Sequence, residues 1–227
     1  MFESIKLIYH QVIEVLAEGG VSDIFRPRVF RNRLATPVVM ELSTSNLPLT
    51  GHLHSTDYQF IEIKIMDLQA GKWSFAIPSR GLKALRNLKK GFRGFAVTED
   101  STVVGDVWCL TSHKDGKRIF HPDLEMLGIT CEEGDAYAFD MFIARVHRGK
   151  NLAVPLQKSL QTALKMEGCQ KVYGYYWNDN LPALWMHRIL KFKELPKRRV
   201  SRFFFLVKSK GTGSTESSYQ ETQNGLL

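Results

Sequence analysis

The sequence contains little cysteine and no long apolar segment. Its three cysteines, Cys109, Cys131 and Cys169, are an odd number and lack the paired spacing of a metal site. They indicate free, reduced thiols and hence a cytoplasmic protein. The longest apolar stretches have the length of strands and are interrupted by charged residues, which predicts no transmembrane helix. No internal repeat is evident, so a repeat architecture is not predicted.

Acidic residues are also fewer than basic ones. The 227 residues include 23 Asp and Glu against 31 Lys and Arg, a net charge of +8 with a pI near 9.4. This balance favours anionic partners such as phosphorylated cofactors, acidic carrier proteins, nucleic acid or membrane surfaces. Direct nucleic-acid binding is not favoured, because the basic residues are scattered and no recognised nucleic-acid motif accompanies them.

Residues 1–57 are predicted to form an extension ahead of the main domain. Apolar residues recur at helical spacing from Phe2 to Ala17, which predicts an amphipathic helix, and the charged residues among them argue against a signal peptide. A basic connector, "FRPRVFRNRLATP", and a strand, "VVMEL", follow. The sequence leaves open whether this extension covers a sheet, builds an acceptor pocket or pairs two subunits as a homodimer.

Strand and helix patterns alternate over residues 58–208, which we expect to form one α/β domain, followed by a disordered polar tail at 209–227. A long stretch after a hairpin, "HKDGKRIFHPDLEMLGITCEEGD", is expected to be an irregular lid or binding segment. The last elements read strand–helix–strand–helix–strand, which predicts a right-handed crossover and some parallel pairing. The predicted elements are, in order, strand "YQFIEIKIMD", helix "SRGLKALRNLKKG", hairpin "FRGFAVTEDSTVVGDVWCLTS", strand "AYAFDMFIARV", helix "LAVPLQKSLQTALKMEG", strand "KVYGYYW", helix "LPALWMHRILKF" and strand "SRFFFLVK".

The most informative junction lies between the strand "AYAFDMFIARV" and the helix after it. The first N–H groups of a helix are free of intrahelical partners and carry the positive end of the macrodipole, so such a turn favours anions. Arg148 and Lys150 add positive charge, and Gly149 allows a close approach of the backbone. Asn151 is a residue type that tolerates positive φ. These features predict a cradle for a pyrophosphate.

Two motifs together resemble the GNAT N-acetyltransferase superfamily over roughly residues 58–208. There, a strand ends in an Arg/Gln-x-x-Gly-x-Gly/Ala turn that binds the pyrophosphate of acetyl-CoA, and a later strand is followed by an Asn-x-x-Ala helix. The first motif matches Arg148, Gly149, Lys150, Asn151, Leu152 and Ala153, and the second matches Asn180 and Ala183. The resemblance implies a mixed, mostly antiparallel central sheet flanked by helices.

The sequence departs from the family pattern at three positions. Asn151 stands where the turn usually has glycine, and Lys191 stands where glycine usually precedes the final phenylalanine. His187 occupies the helix position at which many members carry a tyrosine that protonates the departing thiolate. These departures leave the fold prediction intact and direct attention to His187.

The resemblance also implies roles for particular residues in acyl transfer. The backbone of Met141, Phe142 and Ile143 would bind pantetheine and the thioester carbonyl, with Asn180 contacting pantetheine or capping its helix. Asp140 is the candidate base, acting through water, against the simpler interpretation of an ion-paired strand residue. His187 is the candidate acid, against that of a surface histidine.

Other residue clusters favour simpler interpretations. The strand "KVYGYYW" carries four aromatic residues, Tyr173, Tyr175, Tyr176 and Trp177, which is typical of core packing. The alternative interpretation is that every second one of them lines an acceptor pocket. The loop histidines lack a metal-ligand pattern, so no metal is predicted; they are His52, His54, His113 and His121. Acidic residues of the long loop would face a cationic acceptor; they are Asp123, Glu125, Glu132, Glu133 and Asp135.

The leading hypothesis is an acetyl-CoA-dependent transfer of an acyl group to a primary amine of a small molecule or a protein. A second hypothesis keeps the fold and changes the donor, with the basic connector docking an acidic acyl carrier protein for long-chain N-acyl transfer, or meeting tRNA for aminoacyl transfer. A third is a non-catalytic module that binds acyl-CoA. The sequence does not choose the acceptor, because loops that vary freely build acceptor pockets in this fold.

Overall fold

The computed structural model describes Tyr9 and residues 30–42, 57–111, 121–203 and 206–211. The predicted helix at Phe2–Ala17 lies outside these residues except for Tyr9, which is helical and exposed. The predicted link at 43–56, part of the long loop and most of the tail also lie outside them. Among the described helices, none is long and apolar enough to cross a membrane.

The described residues form ten strands and five α-helices. The strands are β1 Phe30–Glu41, β2 Gln59–Ile63, β3 Ser74–Phe75, β4 Arg93–Glu99, β5 Thr102–Thr111, β6 Asp135–Ile143, β7 Lys171–Trp177, β8 Lys193–Glu194, β9 Arg198–Phe203 and β10 Leu206–Gly211. The α-helices are α1 Ile65–Gln69, α2 Pro78–Lys89, α3 Pro122–Leu127, α4 Ala153–Met166 and α5 Leu181–Ile189. A 3-10 turn, Arg145–His147, follows β6.

All ten strands belong to one mixed sheet, in the order β10-β9-β1-β7-β6-β5-β4-β2, with β3 paired to β5 and β8 to β1. Pairing is parallel between β6 and β7 and between β3 and β5, and antiparallel elsewhere. The predicted mixed, mostly antiparallel sheet flanked by helices is therefore confirmed. The parallel strands β6 and β7 are joined through α4, as the crossover pattern predicted.

Helices cover both faces of the sheet. On one face α4 contributes Leu156, Leu160 and Leu164, which recur every four residues and are fully buried in one core cluster. Burial of each such leucine contributes roughly 1.5–3 kcal/mol to stability. On the other face a second cluster includes Ala84 of α2 and Leu124 of α3, packed with Trp108 and aromatic residues of β6. The two clusters hold β6 and β7 between them.

The N-terminal strand is longer and more central than its sequence indicated. The predicted strand "VVMEL" lies within β1 except for Leu42; β1 begins at Phe30 and includes part of the predicted basic connector. β1 pairs with β7 on one side and with β9 on the other. Residues 1–57 thus contribute an interior strand to the sheet, and a domain boundary at residue 57 stays a prediction.

Three element predictions were wrong in part. The expected strand "YQFIEIKIMD" ends at Ile63, where its pairing with β4 ends, and the chain then turns into α1. The expected single strand "SRFFFLVK" is divided between two strands, β9 ending at Phe203 and β10 beginning at Leu206, which pair antiparallel. The long loop expected to be irregular contains α3, which has proline in its first turn, acidic residues there and Gly128 at its end.

The end of α5 supplies a stability prediction. Gly168, two residues after the end of α4, has positive φ, and Lys191 has φ 59° at the equivalent position after α5. The N–H groups of Lys191 and Phe192 donate to the carbonyls of Arg188 and His187, the pattern of a Schellman motif. A lysine in this left-handed conformation is strained, since its Cβ crowds the backbone.

We expect Lys191→Gly to raise the free energy of unfolding by roughly 1 kcal/mol, because glycine adopts positive φ without that strain. Urea unfolding measures the change. Lys191→Ala is the matched control: it removes the same charge and keeps a Cβ at the position of positive φ. An equal gain in both variants would show that loss of charge, and not the backbone conformation, causes the effect.

Candidate functional site

The two parallel strands β6 and β7 separate part of the way along their length. Within the described sheet their pairing covers only Asp135–Tyr137 against Lys171–Tyr173. Beyond that point β6 runs on to Ile143 and β7 to Trp177. The strands therefore open a cleft in the middle of the sheet, and backbone groups along their facing edges are left for another partner.

A bulge in β6 accompanies this separation. The register against β5 shifts between Asp106, which faces Phe142, and Trp108, which faces Phe139. Two residues of β6, Asp140 and Met141, therefore lie opposite the single residue Val107 of β5. Asp140 has φ 54°, a conformation that aspartate tolerates better than most residues. Bulges bend a strand and increase its local twist, and this one lies in the part of β6 that no longer pairs with β7.

Residues of five elements, β5, β6, β7, α4 and α5, line the cleft. Residues of β6 and β7 form its edges, Gln157 of α4 lies beside it, and Met186 and His187 reach it from α5. The strands are still close at the apex, where a Cβ on Gly174 would lie in ordinary contact, at 3.4 Å, with the carbonyl oxygen of Ala138. The cleft thus has an apolar wall with a few polar side chains, typical of small-molecule sites.

The predicted pyrophosphate turn leads from this cleft into α4. Arg148 has extended backbone, Gly149 has φ 81° and Asn151 has φ 59°. Positive φ at Asn151 explains how asparagine replaces the usual glycine: the backbone keeps the conformation that glycine would take. Residues 148–151 are exposed, whereas Leu152 is buried against the core. The turn is therefore presented to solvent and anchored from behind.

Side-chain contacts shape both sides of this turn. Arg148 Nε donates to the carbonyl oxygen of Ile143 at 3.0 Å, which joins the turn to the end of β6. Lys150 Nζ donates to the hydroxyl of Tyr58 at 2.7 Å, and that hydroxyl lies 3.1 Å from Nδ1 of the buried His147. Tyr58 was not singled out from the sequence, because 92 residues separate it from Lys150.

His187 is buried at the cleft with a fixed tautomer. Nδ1 lies 2.7 Å from the carbonyl oxygen of Ala183, one turn earlier in α5. Since a carbonyl only accepts, Nδ1 carries the hydrogen and Nε2 keeps its lone pair in the neutral ring. Nε2 faces β7, at 3.9 Å from where a Cβ on Gly174 would lie. Burial lowers the pKa of His187, opposed by the hydrogen bond to Ala183 and by Glu194.

Asp140 is ion-paired in the structure. Its carboxylate accepts hydrogen bonds from Arg80 Nη1 at 3.0 and 3.1 Å and lies 2.5 Å from Lys83 Nζ. Both cations engage the carboxylate directly, so the arrangement agrees better with the simpler interpretation, an ion-paired strand residue. A role for Asp140 as the base stays a prediction, and its geometry argues against it.

The remaining predicted site residues divide between binding positions and packing. Asn180 caps α5, since its side-chain oxygen accepts from the Ala183 N–H at 3.2 Å, and a pantetheine contact stays a prediction. Met141, Phe142 and Ile143 follow the bulge along the cleft edge and are half-buried. Ala153 begins α4.

Most of the aromatic and acidic candidates have partners within the chain. Tyr173 and Tyr175 line the cleft, whereas the hydroxyl of Tyr176 donates to Glu194 at 2.8 Å. Of the acidic loop residues, Asp123 accepts from the Tyr137 hydroxyl and Asp135 from the backbone of Glu132. Within the described residues no group of three or more His, Cys, Asp or Glu side chains is arranged to hold a metal ion.

Comparison with known proteins gives matches in structure only. No family model matches the chain, and no curated protein matches its sequence. A glucosamine N-acetyltransferase region of a fungal multi-domain β-N-acetylglucosaminidase aligns over 80% of this chain and 22% of its own, with a TM-score of 0.53 and 15% identity. A tandem GNAT protein from the clavulanic acid biosynthesis pathway aligns over 81% of this chain and 55% of its own, with a TM-score of 0.51 and 13% identity.

A third match, a Drosophila protein, aligns over 78% of this chain and 54% of its own, with a TM-score of 0.51 and 7% identity. The chain thus spans between about a fifth and about half of the length of these proteins. Likeness at such identities concerns the backbone arrangement, including the central sheet that contains the cleft. The chain has the fold of the GNAT, or GCN5-related N-acetyltransferase, superfamily.

Proposed function

We propose that this protein is an N-acyltransferase that takes an acetyl group from acetyl-CoA and transfers it to a primary amine. The observation that carries the proposal is the continuity of two features: a cleft between separated parallel strands, and an exposed turn rich in cations at the mouth of that cleft. A long, thin ligand with an anionic end fits such a path, because the open strand edges bind amides and the helix start binds phosphate.

Each part of the donor has a counterpart along this path. The turn Arg148–Ala153 would hold the pyrophosphate through backbone N–H groups, with Arg148 and Lys150 adding charge. Pantetheine amides would pair with the free edge of β6 at Met141–Ile143, and a backbone N–H there would polarise the thioester carbonyl. Asn180 would contact pantetheine from the start of α5.

The reaction needs proton transfers that His187 is suited to carry out. The amine nitrogen attacks the thioester carbon, the carbon–sulfur bond breaks, and the products are an amide and CoA. A neutral His187 accepts a proton at Nε2, so it would take the proton that the amine loses, directly or through water. The imidazolium then returns that proton to the thiolate. His187 would thus act first as a base toward the amine, which the lone pair on Nε2 favours. It would then act as the acid that protonates the thiolate, the role predicted from the sequence.

The alternative hypotheses have less support from the contacts. Arg33 of the basic connector is paired with Asp179 and lies 4.5 Å from the ring of Trp177, which leaves it less available to dock an acyl carrier protein. A non-catalytic module would be favoured if the replacement of the two family glycines distorted the backbone. Both replacements, Asn151 and Lys191, keep positive φ, so the loss of glycine does not disturb the backbone at either position.

Isothermal titration calorimetry with acetyl-CoA, CoA and palmitoyl-CoA tests the donor. We expect micromolar binding of acetyl-CoA; preference for palmitoyl-CoA would favour long-chain transfer, and no binding of any of them would end the proposal. Release of CoA thiol with a panel of primary amines then tests turnover. Glucosamine belongs in that panel, because one similar structure is a glucosamine N-acetyltransferase region. Binding without turnover across amines and protein substrates would favour the non-catalytic module.

A further inference from the structure

We propose that Arg80 is a positioning residue for the acyl-CoA cleft: from α2 it fixes the bulge of β6 and thereby the edge along which the donor lies. The expected effect on acetyl-CoA binding rests on the proposed function. Its structural content, that one guanidinium holds the bulge, can be tested without any ligand. Nothing in the sequence singled out Arg80, which lies in a helix with several other cations.

Arg80 contacts the bulge at both its side chain and its backbone. Nη1 donates to the two carboxylate oxygens of Asp140, and Nη2 donates to the backbone carbonyl of Asp140 at 3.1 Å. A residue at positive φ turns its peptide groups out of the regular ladder, so that carbonyl needs a partner from outside the sheet. The guanidinium supplies it and fixes the side chain of the same residue.

A buried carboxylate orients Arg80 from the other side. Asp106 of β5 is 1% exposed, pairs with Nε and Nη2 of Arg80, and also accepts from the indole N–H of Trp108 at 2.8 Å. Asp106 lies where the β5–β6 register shifts. The planar guanidinium thus joins the two strands at the irregular step, with donors arranged in a fixed fork that lysine lacks.

The same guanidinium reaches the residues proposed to bind pantetheine. Its central carbon lies 5.0 Å from the ring of Phe142, two residues past the bulge, and that of Arg148 lies 5.9 Å from the same ring. Phe142 is therefore held between the residue that fixes the bulge and the first residue of the pyrophosphate turn. Release of the bulge would displace Met141–Ile143 and remove the contact of Arg148 with Ile143, but it would leave the backbone of the turn, which the buried Leu152 anchors, in place.

The experiment compares Arg80→Met with the wild-type chain by two measurements. Hydrogen exchange of the amides in 139–143 should become at least ~10-fold faster in the variant, because the bulge opens locally. Affinity for acetyl-CoA should fall at least ~10-fold, whereas affinity for the 3′-phosphorylated ADP moiety of CoA, which lacks pantetheine, should change less than about 3-fold. A merely destabilised protein would lose both ligands alike.

Two further variants keep the inference falsifiable. Lys83→Met removes the other cation on Asp140 and leaves all contacts of Arg80, so exchange and affinity should stay close to wild type. Arg80→Met combined with Asp106→Asn removes the buried charge that Arg80→Met alone would leave unpaired, and should fold and still show fast exchange. Wild-type exchange in the double variant, or equal acceleration in Lys83→Met, would overturn the inference. A wild-type chain that binds neither ligand would instead overturn the proposed function, and the exchange data would still decide the role of Arg80.

Discussion

Arg148→Glu should weaken the binding of acetyl-CoA by at least ~30-fold while leaving the fold intact. Arg148 is exposed at the start of the turn, and a charge-assisted hydrogen bond to a phosphate contributes about 1.5–3 kcal/mol. Reversal of the charge adds repulsion to that loss, and every ~1.4 kcal/mol changes affinity tenfold. Calorimetry with acetyl-CoA measures the effect, and a thermal melt checks that the variant folds.

The chain offers a matched control for this charge reversal. Arg145 is exposed on the 3-10 turn three residues earlier and lies outside the motif. Arg145→Glu changes the net charge equally, so it reports the long-range attraction of a basic protein for an anionic ligand. We expect its effect to be only a few-fold and to shrink as salt is added. Equal losses in the two variants would mean that the turn does not contact the pyrophosphate.

Much of the fold could be predicted because its elements carry local signals. The leucines of α4 recur every four residues and all lie in the core, and the strand–helix–strand order placed β6 and β7 in parallel. Errors arose where the local pattern was ambiguous. Alternation in "YQFIEIKIMD" continues past the point where the partner strand ends, and only the pairing of β2 with β4 decides that α1 begins there.

The site could be predicted only where one segment contains it. The turn from Arg148 to Ala153 is contiguous, so its residue types indicate its conformation, including positive φ at Gly149 and Asn151. The network around the bulge joins Arg80, Asp106 and Asp140, which are 26 to 60 residues apart in sequence. Long-range ion pairs leave no periodic pattern. Asp140 therefore appeared as an isolated carboxylate that could act as a base, whereas its two cationic partners are visible only in three dimensions.

Replacement of His187 should lower kcat by ~10²-fold or more with little change in the affinity for acetyl-CoA, since general acid–base groups contribute about 10²–10⁴ in rate. His187→Asn is the informative variant: its amide can still donate to the Ala183 carbonyl, as Nδ1 does, but no base remains at the place of Nε2. The measurement is release of CoA thiol with an amine identified by the acceptor panel. Unchanged kcat would remove His187 from the mechanism.

The pH dependence of kcat/KM separates a histidine that starts as a base from one that starts as an acid. Burial lowers the pKa of His187 below its ordinary value of 6.5, so the neutral form predominates above that pH. A base must be neutral, so the inflection due to His187 should be a rise with pH that is complete above the lowered pKa. An acid must be protonated, and activity would instead fall over the same interval. In His187→Asn this inflection should disappear while the one due to the amine acceptor remains. Activity that falls between pH 5 and 7 in the wild-type chain would return the initial role to the imidazolium.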